Sequence, residues 1–144
     1  MATTRRASAT WSGDLPTGHG TVTAASTGIF RDQPTTWASR TEEANGVTSP
    51  EELLAAAHAS CFSMALANVL AQQGTPPTDL STSATVTFVP GTGITTSKIE
   101  VEGQVPGIDE ATFGRAADEA NDGCPVSLAL KGNVEVSVDA RLVG

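Results

Sequence analysis

The sequence predicts an α+β protein, and three observations carry that expectation. Thr- and Val-rich segments with strand-like alternation open and close the chain. One long helical pattern separates two of these groups. The elements come in blocks, ββ(β)–α–ββ–αα–β, with no βαβ repeat. At 144 residues the chain is most simply one domain, residues 1–144, and no internal repeat, low-complexity tract or long linker divides it.

Each element has its own signal. Residues 9–13 (ATWSG) and 20–27 (GTVTAAST) read as the arms of a hairpin, with Asp14–Gly18 as the turn and His19 as a turn residue. Residues 35–43 are expected to add a short third strand. The long helix begins at Ser49-Pro50-Glu51-Glu52. Ser49 is a good N-cap, Pro50 loses no needed hydrogen bond at the first helical position, and Glu52 completes a capping box. The pattern runs to Gln73, where Gly74, Pro76 and Pro77 stop it. That makes a rod of roughly 35 Å. It is Ala- and Leu-rich nearly all round, so it should be covered on more than one side. Residues 81–89 and 94–105 read as paired strands around a Pro90-Gly91 turn. A helix from Asp109 to Asn121, a short helix from Cys124-Pro125 to Leu130 and a final alternating strand in NVEVSVDARL complete the order.

Composition narrows function. The net charge of −8 argues against non-specific binding to nucleic acid or an anionic membrane. No stretch approaches 18 uninterrupted apolar residues, so no membrane-spanning helix is expected. The N-terminus has no apolar signal segment, which favours a cytoplasmic protein. Aromatic residues make up only 4% of the chain, so a second copy sharing the core is expected. In a reducing compartment two cysteines are redox-active or free rather than a permanent staple.

The chemistry-bearing residues are few. Cys61 lies mid-helix and Cys124 opens the short helix directly before Pro125, 63 positions later. Unpaired amides at a helix start favour a thiolate there. A buried cysteine on an Ala-rich helix is, equally, an ordinary small hydrophobe. Glu51, Leu54, His58 and Cys61 share one helix face by their 3-4-3 spacing. His58 could hydrogen-bond a thiolate or simply pack. Glu51 lies roughly 15 Å along a straight axis from Cys61, so it either bends inward or serves a site completed by a second subunit. Arg31, Arg40 and Arg115 are the candidate fixed charges for thiolate chemistry with an electrophile. There is no CxxC, zinc-ligand spacing, phosphate loop or GxSxG serine, so neither a metal site nor a bound cofactor is expected.

SPEELLAAAHASCFSMAL, the later GCPVS, the intervening PGID and the opening ATWSGD together resemble the OsmC/Ohr family. These are the osmotically inducible protein C and organic hydroperoxide resistance proteins. The AAHASCFSMAL form is more similar to the OsmC branch. The resemblance covers nearly the whole chain in order and length. It implies an intertwined α+β homodimer with long central helices packed against β-sheets. It implies thiol peroxidase activity on organic hydroperoxides, recycled by an external dithiol such as dihydrolipoamide or a lipoylated protein. By position Cys61 matches the peroxidatic cysteine and Cys124 the resolving cysteine. Glu51 matches the active-site carboxylate and Arg40 the arginine it pairs with. The competing classes are a redox sensor and a structural stress protein with inert cysteines.

Overall fold

A computed structural model describes all residues, 1–144. The chain divides into two compact units, Met1–Leu53 and Leu54–Gly144.

The N-terminal unit is built on an antiparallel sheet of β1 (Ser8–Ser12), β2 (His19–Thr23) and β3 (Gln33–Thr35), in the order β1-β2-β3. The β1–β2 turn closes where expected. Asp14 accepts from the Thr17 amide at 2.9 Å, and Gly18 N–H donates to the Asp14 carbonyl at 2.9 Å. His19 opens β2 opposite Ser12 instead of lying in the turn. The strand expected over 35–43 is instead a short β3 followed by helix α1 (Trp37–Thr41). Thr36 is the reason. Its side chain accepts from the Ser39 amide while Ser39 answers to the Thr36 backbone, a capping box that nucleates a helix in five residues.

Helix α2 (Pro50–Gln72) starts at the predicted cap, with Ser49 Oγ accepting from Glu52 N–H at 3.2 Å. The box is half-formed, because the Glu52 carboxylate takes the Thr48 hydroxyl instead, at 2.6 Å. An 18-residue window of α2 reaches a mean hydropathy of 1.6, long and apolar enough to cross a membrane by length and composition. His58, Ser60, Ser63 and Asn68 interrupt its apolar residues.

The C-terminal unit holds the apolar core. Strands β4 (Asp79–Val89) and β5 (Gly93–Gln104) pair antiparallel, and β6 (Glu135–Leu142) lies parallel to β5. The β5–β6 crossover carries α3 (Glu110–Gly123) and α4 (Pro125–Leu130). Phe62, Leu66 and Leu70 of α2, Ile99 and Val101 of β5, and Phe113, Ala116, Ala117 and Ala120 of α3 are fully or almost fully buried together. Full burial of a Phe, Leu or Ile contributes about 1.5–3 kcal/mol each. Two glycines are required here, one by packing and one by backbone conformation. A Cβ on Gly103 would lie 2.4 Å from the Phe113 ring, and Gly107 turns the chain at φ +88 after Pro106. Asp109 then caps α3 by accepting from Thr112 N–H, which gives the PGID segment its structural meaning.

Candidate active site

The two cysteines reach each other through three elements. α2 presents Cys61 against the core, half-buried. α3 ends at Gly123 and α4 begins at Pro125, so Cys124 is at once the C-cap of one helix and the N-cap of the next. Cys124 is wholly buried. Both thiols are free, and they interact directly, each altering the other's ionisation.

That interaction is asymmetric. Burial pushes the Cys61 thiol up, the Val126 amide offsets part of this, and the hydrogen bond and charge of Cys124 push it further up. Burial also acts to raise Cys124. It is outweighed by the backbone N–H and hydroxyl of Ser127, by the Cys61 thiol and by the Val126 amide, so Cys124 ends below the ordinary thiol value. The sulphur makes no close capping bond of its own. The two shifts run in opposite directions, Cys61 up and Cys124 down.

His58, one turn before Cys61, is wholly buried. Its Nδ1 lies 2.7 Å from Ser97 Oγ of β5, and its Nε2 lies 2.8 Å from Ser127 Oγ of α4. Burial holds the imidazole below its ordinary value of 6.5. The unfolded chain therefore takes up the extra proton first. This contribution to stability is complete above about pH 6.5 and is lost as pH falls below it. Thermal unfolding followed from about pH 8 to about pH 5 should show a falling Tm. His58→Gln should flatten that slope, and an equal slope in the variant would contradict the assignment.

In the N-terminal unit, α1 carries Arg40. Its Nε donates to Glu51 Oε1 at 2.9 Å, and its guanidinium stacks over the Trp37 ring, 5.8 Å from the centroid. Ser39 also donates to the Thr48 carbonyl at 3.2 Å, tying α1 to the segment leading into α2. Glu51 is 7% exposed, and its Oε2 is buried with no hydrogen-bond partner. A buried carboxylate oxygen in that state is an acceptor held ready for a donor. Arg40 also lines an apolar cavity of about 350 Å³ with Trp11, Leu15, Val22, Trp37 and Leu53.

The predicted residues thus fall into two groups: Cys61 with Cys124 and His58, and Arg40 with Glu51. Of the other arginines, Arg115 donates to Thr112 one turn earlier on α3, as a solvated helix face would. Ser97 and Ser127 were not singled out in the sequence. Ser97 interrupts the apolar series of β5 at a buried position, which is the one signal that could have found it. Ser127 lies three residues after Cys124, the position that faces a helix cap.

Fold and thiols together define the class, an α+β protein with two interacting cysteines and no disulfide in the reduced chain. The family model described as OsmC-like protein matches residues 43–139. The chain is 41% identical over 145 aligned positions to peroxiredoxin OsmC of Escherichia coli K12, covering 99% of each. It is 37% identical over 95 positions to an organic hydroperoxide resistance protein of Xanthomonas axonopodis pv. citri, covering 63% of this chain and 65% of that one. The solved organic hydroperoxide resistance protein OhrB of Bacillus subtilis superposes with a TM-score of 0.70 at 26% identity, covering 94% of this chain and 98% of that one. An OsmC-like protein from Mycoplasma pneumoniae superposes over the full length of both chains with a TM-score of 0.74 at 16% identity. The chain belongs to the OsmC family, on the OsmC branch.

Proposed function

We propose that the protein is a cysteine-based peroxidase that reduces organic hydroperoxides to alcohols. The observation that carries this reading is the thiol pair itself. Two cysteines 63 positions apart interact directly, one half-buried and one wholly buried. The names of its relatives, peroxiredoxin and organic hydroperoxide resistance protein, point the same way.

The exposure difference supports the division of labour. A hydroperoxide meets Cys61 first. Cys61, as thiolate, attacks the distal peroxide oxygen. The O–O bond breaks, Cys61 becomes a sulfenic acid, and the departing alkoxide takes up a proton and leaves as the alcohol. The Cys124 thiolate then attacks the Cys61 sulphur, expelling hydroxide and leaving a disulfide. An external dithiol, with dihydrolipoamide or a lipoylated protein as the expected source, reduces it by exchange. The cycle uses these sulphurs and that dithiol, with no bound cofactor. On the family resemblance Arg40 stabilises the departing oxygen and Glu51 orients Arg40. The apolar cavity lined by Arg40 is suited to an organic tail.

A homodimer is part of this reading. No apolar side chain in residues 1–53 is fully buried, and a three-stranded sheet without a buried face is not stable by itself. Along α2, Ala57, Ser60, Met64 and Asn68 are exposed at helical spacing, with Met64 67% exposed. A second copy covering these surfaces fits the central helices of the family fold. We read residues 1–144 as one functional domain working in the cytoplasm.

Cys124→Ser should permit one fast oxidation and then over-oxidation of Cys61 to sulfinic acid, visible by mass spectrometry. Steady turnover in that variant with a dithiol reductant would remove the resolving role. The test of the function is turnover of cumene hydroperoxide with dihydrolipoamide. The expected result is stoichiometric alcohol. Thiols that oxidise without turnover would favour a sensor, and thiols that react only after unfolding would favour a structural protein.

A further inference from the structure

We propose that the hydrogen bond between His58 and Ser127 is a positioning rung: it fixes the register of α4 against α2 and so presents Cys124 to Cys61 for disulfide closure. This rests on the reading of Cys61 and Cys124 as a redox couple. It adds one positioning residue beside each cysteine.

The spacing carries the argument. On α2, His58 precedes Cys61 by three residues. On α4, Ser127 follows the N-cap Cys124 by three residues. Each pair spans about one helical turn, roughly 4.5 Å of rise. His58 Nε2 lies 2.8 Å from Ser127 Oγ, a bond between side chains 69 positions apart. Where the two segments run antiparallel, one turn towards Cys61 on α2 is also one turn towards Cys124 on α4. Cys61 packs against the buried cluster that contains Cys124, as that arrangement requires. The cysteines therefore occupy the rung next to His58 and Ser127.

The short helix needs such a rung. α4 is six residues long, far below the length at which a helix holds itself in water. Its one buried residue is Ser127, and Leu128 beside it is 50% exposed. Apolar packing is non-directional, whereas a hydrogen bond weakens steeply as its geometry departs from linear. A helix anchored through a buried hydroxyl is thus held in one register. His58 is fixed in its turn, with Nδ1 2.7 Å from Ser97 Oγ of β5. His58 and Ser97 are wholly buried and Ser127 nearly so, and a satisfied buried polar network rigidifies the groups it joins. Leu128 N–H donates to the Cys124 carbonyl at 2.9 Å, closing the first turn of α4, so Cys124 follows wherever Ser127 is held. Register matters because a disulfide accepts Cα atoms only about 4.4–6.8 Å apart. In a positioned reaction, misplacement by about 1 Å costs about 10²-fold.

The test is equilibration of the full chain with a glutathione redox buffer, acid-quenched and read by mass spectrometry. One glutathione disulfide becomes two glutathione thiols as the Cys61–Cys124 bond forms, so the midpoint gives the effective concentration of one thiol against the other. Ser127→Ala should lower that concentration about tenfold, a coupling of ordinary size between linked sites. His58→Leu should lower it similarly, and the double variant no further, because both remove the same bond. Ser63→Ala is the control for general loosening of α2. It removes the 2.7 Å bond from Ser63 Oγ to Thr82 Oγ1 of β4, and should leave the value unchanged. A value unmoved by Ser127→Ala, additive losses in the double variant, or an equal loss in Ser63→Ala overturns the rung while leaving the redox couple standing. A chain that forms no Cys61–Cys124 disulfide at any buffer ratio overturns both. No peroxide is used, so a chain without peroxidase turnover still returns an answer about the rung.

Discussion

Replacing Cys61 by serine is expected to lower hydroperoxide turnover by at least about 10³-fold, a loss of about 4 kcal/mol in transition-state stabilisation. A serine hydroxyl cannot accept the peroxide oxygen to form a sulfenic acid, and no other half-buried thiol exists in the chain. The substitution is nearly isosteric on a helix whose fold is held by Phe62, Leu66 and Leu70. Loss of activity should therefore come without loss of structure. Circular dichroism and an unfolding curve check the fold, and alcohol formation from cumene hydroperoxide checks the rate. A variant keeping a tenth of the activity would move the oxidised sulphur elsewhere.

The second large effect is expected at Arg40. An unperturbed thiol is already a few per cent ionised at neutral pH, so full ionisation accelerates attack by a few tens-fold at most. Burial and the Cys124 charge act against ionising Cys61. The larger share of the acceleration must then come from orienting the peroxide and stabilising charge on the departing oxygen. On the proposed reading that work falls to Arg40. It is gripped by Glu51 at 2.9 Å, stacked on Trp37 and set on a helix capped by Thr36. Removing one such preorganised donor costs about 10²–10³-fold, so Arg40→Ala should slow single-turnover oxidation by that factor. Arg40→Lys should recover little, because an ammonium cannot reproduce the guanidinium fork. Stopped-flow rates that fall only in step with the thiolate fraction would contradict the role.

How legible this site was depends on whether each signal is local. The start of α2 was readable, because Ser49 and Pro50 act on their own neighbours. The two cysteines were readable from their contrasting settings, and the breaks at Gly74 and Gly123 ended helices near where they were expected. The segment 35–43 was not. Its Thr and Trp content suggests a strand, but the Thr36–Ser39 box costs no tertiary contact and wins. The parallel β5–β6 pairing was also hidden, since strand order depends on how α3 and α4 cross over and not on any local pattern. The His58 environment lay furthest from reach. Its partners sit 39 and 69 positions away, and each is an ordinary serine in a strand or helix. A buried histidine is decided by what the fold brings to its two nitrogens, and no periodicity records that.

The most direct measurement is peptide-mapped mass spectrometry of the fully reduced protein after one equivalent of cumene hydroperoxide. The expected product is a single disulfide linking Cys61 to Cys124 within one chain, formed as the peroxide is consumed. Two intact thiols beside unconsumed peroxide, or a disulfide joining cysteines of different chains, would contradict it.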